Sequence, residues 1–139
     1  MREQLAGAGI PLPQACEVEI AELGLGHWEV EGLGLVVRVN EPEYCSKWIT
    51  LLPGQECPKH YHKMKKETFL AIQGVVELIA NGETIVLEPG DQFTIKPGVW
   101  HSFSSKNGAV IEEVSTHDEN SDSYFENKAI VRDPVIEED

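Results

Sequence analysis

Two short stretches hold the residues best suited to chemistry. Residues 54–74 read GQECPKHYHKMKKETFLAIQG, and residues 90–105 read GDQFTIKPGVWHSFSS. His60 and His62 are two apart, and on a strand residues i and i+2 share a face. Both imidazoles can then reach one ion. Four residues, KMKK, separate His62 from Glu67, which opens an apolar segment. A tight turn through Lys63–Lys66 would fold Glu67 back beside the two histidines. His101 follows the Pro97-Gly98 turn and begins a further segment. Three imidazoles and a carboxylate suit a divalent transition metal such as Mn, Fe, Co, Ni or Zn. Four protein ligands on a six-coordinate ion leave two positions for water or substrate.

A His-x-His pair alone is weak, because two histidines before a lysine-rich turn are also compatible with a solvated loop. Joined to Glu67, the flanking Gly54 and Gly74, and a distant Gly98-x-x-His101, the pattern is hard to reach by chance. His27 and His117 lack such a context and read as ordinary surface or packing residues.

The elements that must carry these residues are short. Residues 1–14 read as an arm or short helix stopping at Pro11 and Pro13. Residues 17–23 alternate loosely, and 28–39 (WEVEGLGLVVRV) read as a strand pair or a bent strand broken by Gly32 and Gly34. WITLL, TFLAI, VVELIA, ETIVLE, QFTIK and AVIEEV follow, rich in Val, Ile, Thr and Phe. Asn81-Gly82 between VVELIA and ETIVLE is a two-residue hairpin signal. Pro53-Gly54, Pro89-Gly90-Asp91 and Pro97-Gly98 mark further turns. No segment sustains a 3.6-residue apolar period of helical length. This spacing predicts an all-β antiparallel sandwich or barrel.

The chain of 139 residues fits one domain. Residues 1–35 are expected to form an N-terminal arm and first strands, 40–116 the metal-binding barrel core, and 117–139 a polar, acidic C-terminal tail. Within that tail Tyr124, Phe125, Ile130 and Val131 can pack against the barrel or a partner chain. A formal net charge of −13 repels nucleic acid and anionic membranes, so neither is an expected partner. No apolar run approaches the ~20 residues of a membrane span. The opening MREQLAGAGIPLPQ lacks the apolar core of a signal peptide. Cys16, Cys45 and Cys57 are odd in number and form no Cys-x-x-Cys pair, which reads as reduced thiols in a cytoplasmic protein.

The first stretch resembles the first cupin motif position for position: Gly54, His60-x-His62, Glu67, Gly74. Gly90 with Pro97, Gly98 and His101 resembles the second. The resemblance implies a cupin double-stranded β-helix, or jelly roll, with the metal inside the barrel. A narrower similarity runs along nearly the whole chain through AGIPL, GLGLVVRVN, YCSK, LLPGQECPKHYH, KKETF, LEPGDQFTIKPGVWH and GAVIEEVST. It is to the short bacterial D-lyxose isomerases and to cupin modules of sialic-acid-type sugar biosynthesis. That family implies a metal-dependent aldose–ketose isomerase acting on a small sugar, D-lyxose to D-xylulose, usually with Mn(II), and usually as a homodimer. The chain departs from it in the short KMKK connection and in a plain hairpin where a longer loop is common.

Such chemistry needs a base to carry a proton between C1 and C2 through a cis-enediolate, and a cation or donor beside the developing oxyanion. Alternation along AVIEEVS puts Glu112 and Glu113 on opposite faces. The apolar pattern does not decide which faces inward, since Val110 and Val114 accompany Glu112 while Ile111 accompanies Glu113. The resemblance favours Glu113 as the base. Lys47, within a strand, can point outward as an edge guard; the resemblance implies that it points toward the metal as the cation. Phe69, Phe93, Trp100 and Phe103 read as core or pocket wall. Trp48 reads as lying on the outer sheet face, at a dimer interface. Two other functions fit the same ligands: a non-catalytic sugar-binding module, and an Fe(II) dioxygenase.

Overall fold

The structure, a computed structural model, describes residues 1–12, 17–21, 23, 25–130 and 135–137. The punctuation by Gly and Pro cuts the chain into short strands that pair into two sheets. One contains β1 (Glu17–Ala21), β2 (Leu33–Asn40), β3 (Cys45–Leu51), β5 (Glu67–Gln73), β8 (Gln92–Ile95), β10 (Ala109–Ser115) and β12 (Val135–Glu137). The other contains β4 (Glu56–Tyr61), β6 (Val76–Ala80), β7 (Glu83–Leu87), β9 (His101–Ser104) and β11 (Tyr124–Phe125). Their orders are β12-β1-β2-β3-β10-β5-β8 and β11-β4-β9-β6-β7, with every strand pair antiparallel. This is the jelly-roll barrel expected from the sequence.

Alternation decides which side chains meet between the sheets. Leu35, Ile49, Leu51, Phe69, Leu78, Ile95, Phe103 and Ile111 form the interior core. Burying each such side chain is worth roughly 1.5–3 kcal/mol. The long sheet has a second apolar layer on its outer face, where the helix α1 (Arg2–Gly7) lies. A six-residue helix is marginal alone. Leu5 holds it against Val18, Val36 and Val110, with Trp48 and Ile72 packed alongside. Trp48 is thus on the outer face, covered by the chain's own N-terminal arm. Gly34 allows the close approach of that arm: a Cβ there would collide with Met1 Sδ and Thr50 Oγ1.

Three expectations are refined. The arm's helix ends at Gly7, before the prolines; Pro13, Cys16 and Val131 lie outside the described residues. Trp28–Val30 form a turn rather than a strand, closed by the Val30 and Glu31 N–H groups donating to His27 O at 2.9 and 3.1 Å. Gly34 sits inside β2 and does not break it. The hairpin at Asn81-Gly82 is as expected, with φ of 50° and 80°, the left-handed pair of a type I′ turn. Among the described residues no helix is long and apolar enough to cross a membrane.

Candidate active site

The two sheets bring the chemistry-bearing residues to one end of the barrel. β4 and β9 pair so that His60 stands opposite His101. The register shifts between Cys57 and His60, where Pro58 has no N–H to give to the ladder. The bulge leaves the Pro58 carbonyl free, and His60 Nδ1 lies 2.7 Å from it. From the long sheet, Glu67 starts β5 beside Ser115 of β10, and Glu113 stands opposite Lys47 of β3.

The three histidines share one device. His60 Nδ1 meets Pro58 O at 2.7 Å, His62 Nδ1 meets Asp122 O at 3.0 Å, and His101 Nδ1 meets Val99 O at 2.9 Å. A carbonyl only accepts, so each Nδ1 carries the hydrogen, which leaves Nε2 as the ring nitrogen open to a ligand bond. Burial pushes His60 well below the usual histidine range and lowers His62, which keeps both rings neutral. One ligand atom from each of the three buried rings lies within 4.8 Å of the others.

Glu67 stands beside two of the three rings. Its Oε1 lies 3.0 Å from His101 Nε2 and 3.6 Å from His62 Nε2. At 3.0 Å the Glu67–His101 contact lacks hydrogen-bond alignment, and both atoms are without a hydrogen-bond partner among the described residues. Two buried polar atoms facing each other without a hydrogen bond suit a cation between them. Burial would raise the Glu67 carboxyl, but the Lys65 ammonium beside it pulls the other way, and the carboxyl lies well below the usual carboxylate range. Three imidazoles with their Nδ1 atoms held by carbonyls, and one ionised carboxylate, fit a divalent transition metal.

Around this set lies a buried charge network. Lys65 Nζ is 3.1 Å from Glu67 Oε2, 3.0 Å from Asp118 Oδ1 and 3.8 Å from Glu113 Oε1. Lys47 Nζ is 2.5 Å from Asp118 Oδ2. All five charged residues are buried. Asp118 is itself anchored: its N–H donates to Asn40 Oδ1 at 3.1 Å, and Asn40 Nδ2 donates to its carbonyl at 3.0 Å. Breaking one buried pair in such a network costs about 3–5 kcal/mol. Charged residues gathered in a core at that expense point to chemistry rather than stability.

Glu113 stands apart from the other carboxylates. Its Oε2 has no hydrogen-bond partner among the described residues. Burial pushes its carboxyl up to about 7, against the pull of Lys65 and Lys47. It is therefore poised to hold or release a proton near neutrality. Glu112 is on the other face: Val110, on its side, packs under the arm, whereas Ile111, on the side of Glu113, is in the barrel core. The polar groups open onto a cavity with an apolar wall that includes Leu33, Leu35, Ile49, Phe69, Phe103 and Phe125. A wall of this kind keeps the local dielectric low and strengthens the charge interactions beside it.

Every site residue read from the sequence thus lies at this end of the barrel: His60, His62, Glu67, His101, Glu113 and Lys47. Lys47 faces inward, but its ammonium is taken up by Asp118, and Lys65 stands nearer to Glu67 and Glu113. Lys65 was missed as a site residue although a signal existed, since it precedes Glu67 by the same two-residue step that links His60 and His62. Asp118, Asp122 and Ser123 come from the stretch read as a polar tail, where nothing marks them. Phe93 packs against the core edge, Phe69 and Phe103 line the cavity, and Trp100 lies against Tyr61 at 4.5 Å. His27 pairs with half-buried Glu31, and His117 with exposed Glu119 and with the Glu41 carbonyl at 3.0 Å.

A family model described as a cupin domain matches residues 47–112. The chain is 36% identical to the D-lyxose ketol-isomerase of Cohnella laeviribosi, over 99% of this chain and 92% of that one. It is also 36% identical to the D-lyxose/D-mannose isomerase of Thermosediminibacter oceani, over 87% and 82%. Among solved structures, the L-ribose isomerase of Acinetobacter sp. DL28 in complex with L-ribose superposes with a TM-score of 0.78, at 15% identity, over 93% of this chain and 89% of that one. That last likeness is one of fold.

Proposed function

Because the chain belongs to the family of cupin D-lyxose ketol-isomerases, we propose that it interconverts an aldose and its ketose at the His60–His62–Glu67–His101 end of the barrel, with D-lyxose and D-xylulose as the first pair to consider. The observation that carries the reading is Glu113: a buried carboxyl, pushed up to about 7, beside the histidine cluster and two lysines. An isomerase needs a proton carrier of this kind, and a binding module does not.

His60, His62, Glu67 and His101 would hold the metal, with Mn(II) the first choice. A metal held there would supply Lewis acidity toward the sugar carbonyl. Glu113 takes the proton from C2 of the open-chain aldose on Oε2 and returns it to C1, while the O2 hydroxyl proton passes to O1, so that the two transfers balance and no net proton is consumed. Lys65 supplies positive charge beside Glu113 and stabilises the negative charge that develops on the sugar oxygens. Asp118 holds Lys65 and Lys47 together, so the two ammonium groups enter the cavity wall with fixed positions. The apolar wall excludes water and limits loss of the transferred proton.

An aldose panel in D₂O with added Mn(II), followed by NMR, tests this directly. Deuterium is expected at C2 of recovered D-lyxose and at C1 of D-xylulose. Sugar binding without exchange would sink the isomerase and leave a binding module, and oxygen uptake in place of exchange would favour an Fe(II) dioxygenase.

The same reading places the protein in the cytoplasm as a homodimer. Light scattering at micromolar concentration should give twice the 15.5 kDa of one chain. A mass of one chain would remove the dimer.

A further inference from the structure

Asp122 lies in a short 3₁₀ turn, Asn120–Asp122, far along the chain from the histidines. Its side chain and main chain nevertheless grip the metal-site segment at two places. Its carboxylate accepts three consecutive main-chain N–H groups. Lys63 donates to Oδ1 at 2.9 Å, Met64 is shared between Oδ1 and Oδ2 at 3.2 Å each, and Lys65 donates to Oδ2 at 3.0 Å. Its carbonyl oxygen accepts the His62 Nδ1 hydrogen at 3.0 Å. The residue is buried.

We propose that Asp122 is a positioning residue that sets, through one rigid grip, both the ring orientation of His62 and the reach of Lys65 into the site. The connection between β4 and β5 is only five residues long, His62–Lys66. A turn this tight turns successive N–H groups to one side, and buried N–H groups need acceptors. A carboxylate supplies two charge-assisted acceptors at once, roughly twice as strong as neutral ones. Lys65 leaves that turn with its ammonium between Glu67 and Asp118. A shift of Asp122 therefore moves the His62 ring and the Lys65 ammonium together. Asp122 does this without touching a substrate. The metal half of the inference rests on the proposed function above, whereas the turn half does not.

The test uses the full chain as wild type, Asp122→Ala and Asp122→Asn, with Glu119→Ala as control on an exposed side chain of the same segment. Three quantities are read: amide exchange of Lys63, Met64 and Lys65 in metal-free protein, the Mn(II) dissociation constant by chelator competition, and kcat on D-lyxose at saturating Mn(II). In Asp122→Ala the three amides should lose protection. The Mn(II) dissociation constant should rise about 10–100-fold, the usual effect of removing support behind a ligand. At saturating metal kcat should still fall, by up to roughly 10²-fold for a misplaced group. Asp122→Asn, which keeps one acceptor oxygen, should fall between, and Glu119→Ala should match wild type. A purely structural residue would lower the melting temperature and leave the dissociation constant and saturated kcat unchanged, which would overturn the proposal. If Asp122→Ala does not fold, Asp122→Asn decides by the same criteria. If wild type binds no Mn(II), the metal reading fails on its own, and protection of the three amides decides whether Asp122 holds the turn.

Discussion

Replacing Glu113 by glutamine is expected to lower kcat on D-lyxose by about 10²–10⁴-fold, the usual worth of positioned proton transfer. The substitution keeps the shape of the side chain and removes its ability to take a proton. Glu113 Oε1 lies 3.8 Å from Lys65 Nζ and Oε2 has no hydrogen-bond partner among the described residues, so the unpartnered oxygen is available for the substrate. Its carboxyl, raised by burial to about 7, matches a group that accepts and returns a proton within one turnover. Metal content and fold should be retained in Glu113→Gln, and KM should change little. Glu112→Gln, on the face turned toward the arm, should be near wild type. Steady-state kinetics with elemental analysis of the same samples separates these outcomes. Wild-type turnover in Glu113→Gln would remove Glu113 as the base and with it the mechanism proposed above.

The second large effect is expected from the proposed metal ligands. The double variant His60→Ala, His62→Ala removes two of the four donors. Its metal content should drop from about one ion per chain to background, and isomerase activity should drop with it. Glu67 Oε1 and His101 Nε2 alone offer too little to hold an ion against water. Thermal unfolding gives a readout independent of turnover. At a free metal concentration 100 times its dissociation constant, a single site adds ≈ 2.7 kcal/mol to wild-type stability. The double variant should gain nothing. Equal metal content in both proteins would remove the assignment of these histidines as ligands.

The proposed ligands were legible because their signal is local. His60 and His62 share a face by strand parity, and Glu67 returns by a turn whose brevity is visible in KMKK. Asn81-Gly82 announced its hairpin for the same reason, since a type I′ turn needs two left-handed residues and few pairs supply them. Spacing by two residues, turn chemistry and the Val/Ile/Thr-rich runs therefore determined an antiparallel sandwich or barrel and singled out the histidine–glutamate set as the candidate site, and the motif resemblance narrowed the fold to a jelly roll.

The tertiary structure decided what parity leaves open. On β10, Glu112 and Glu113 both have apolar neighbours, because the arm makes the outer face of the sheet a second buried layer through Leu5, Val36 and Val110. With apolar side chains on both faces, alternation cannot say which glutamate is inside. Likewise nothing in THDENSDSYF distinguishes Asp118 and Asp122 from solvated acids. Their roles arise from contacts with Lys47, Lys65 and the 63–65 main chain, at least 53 residues away in sequence. Charge pairing over that distance depends on where the chain returns, and only the closed barrel sets that return.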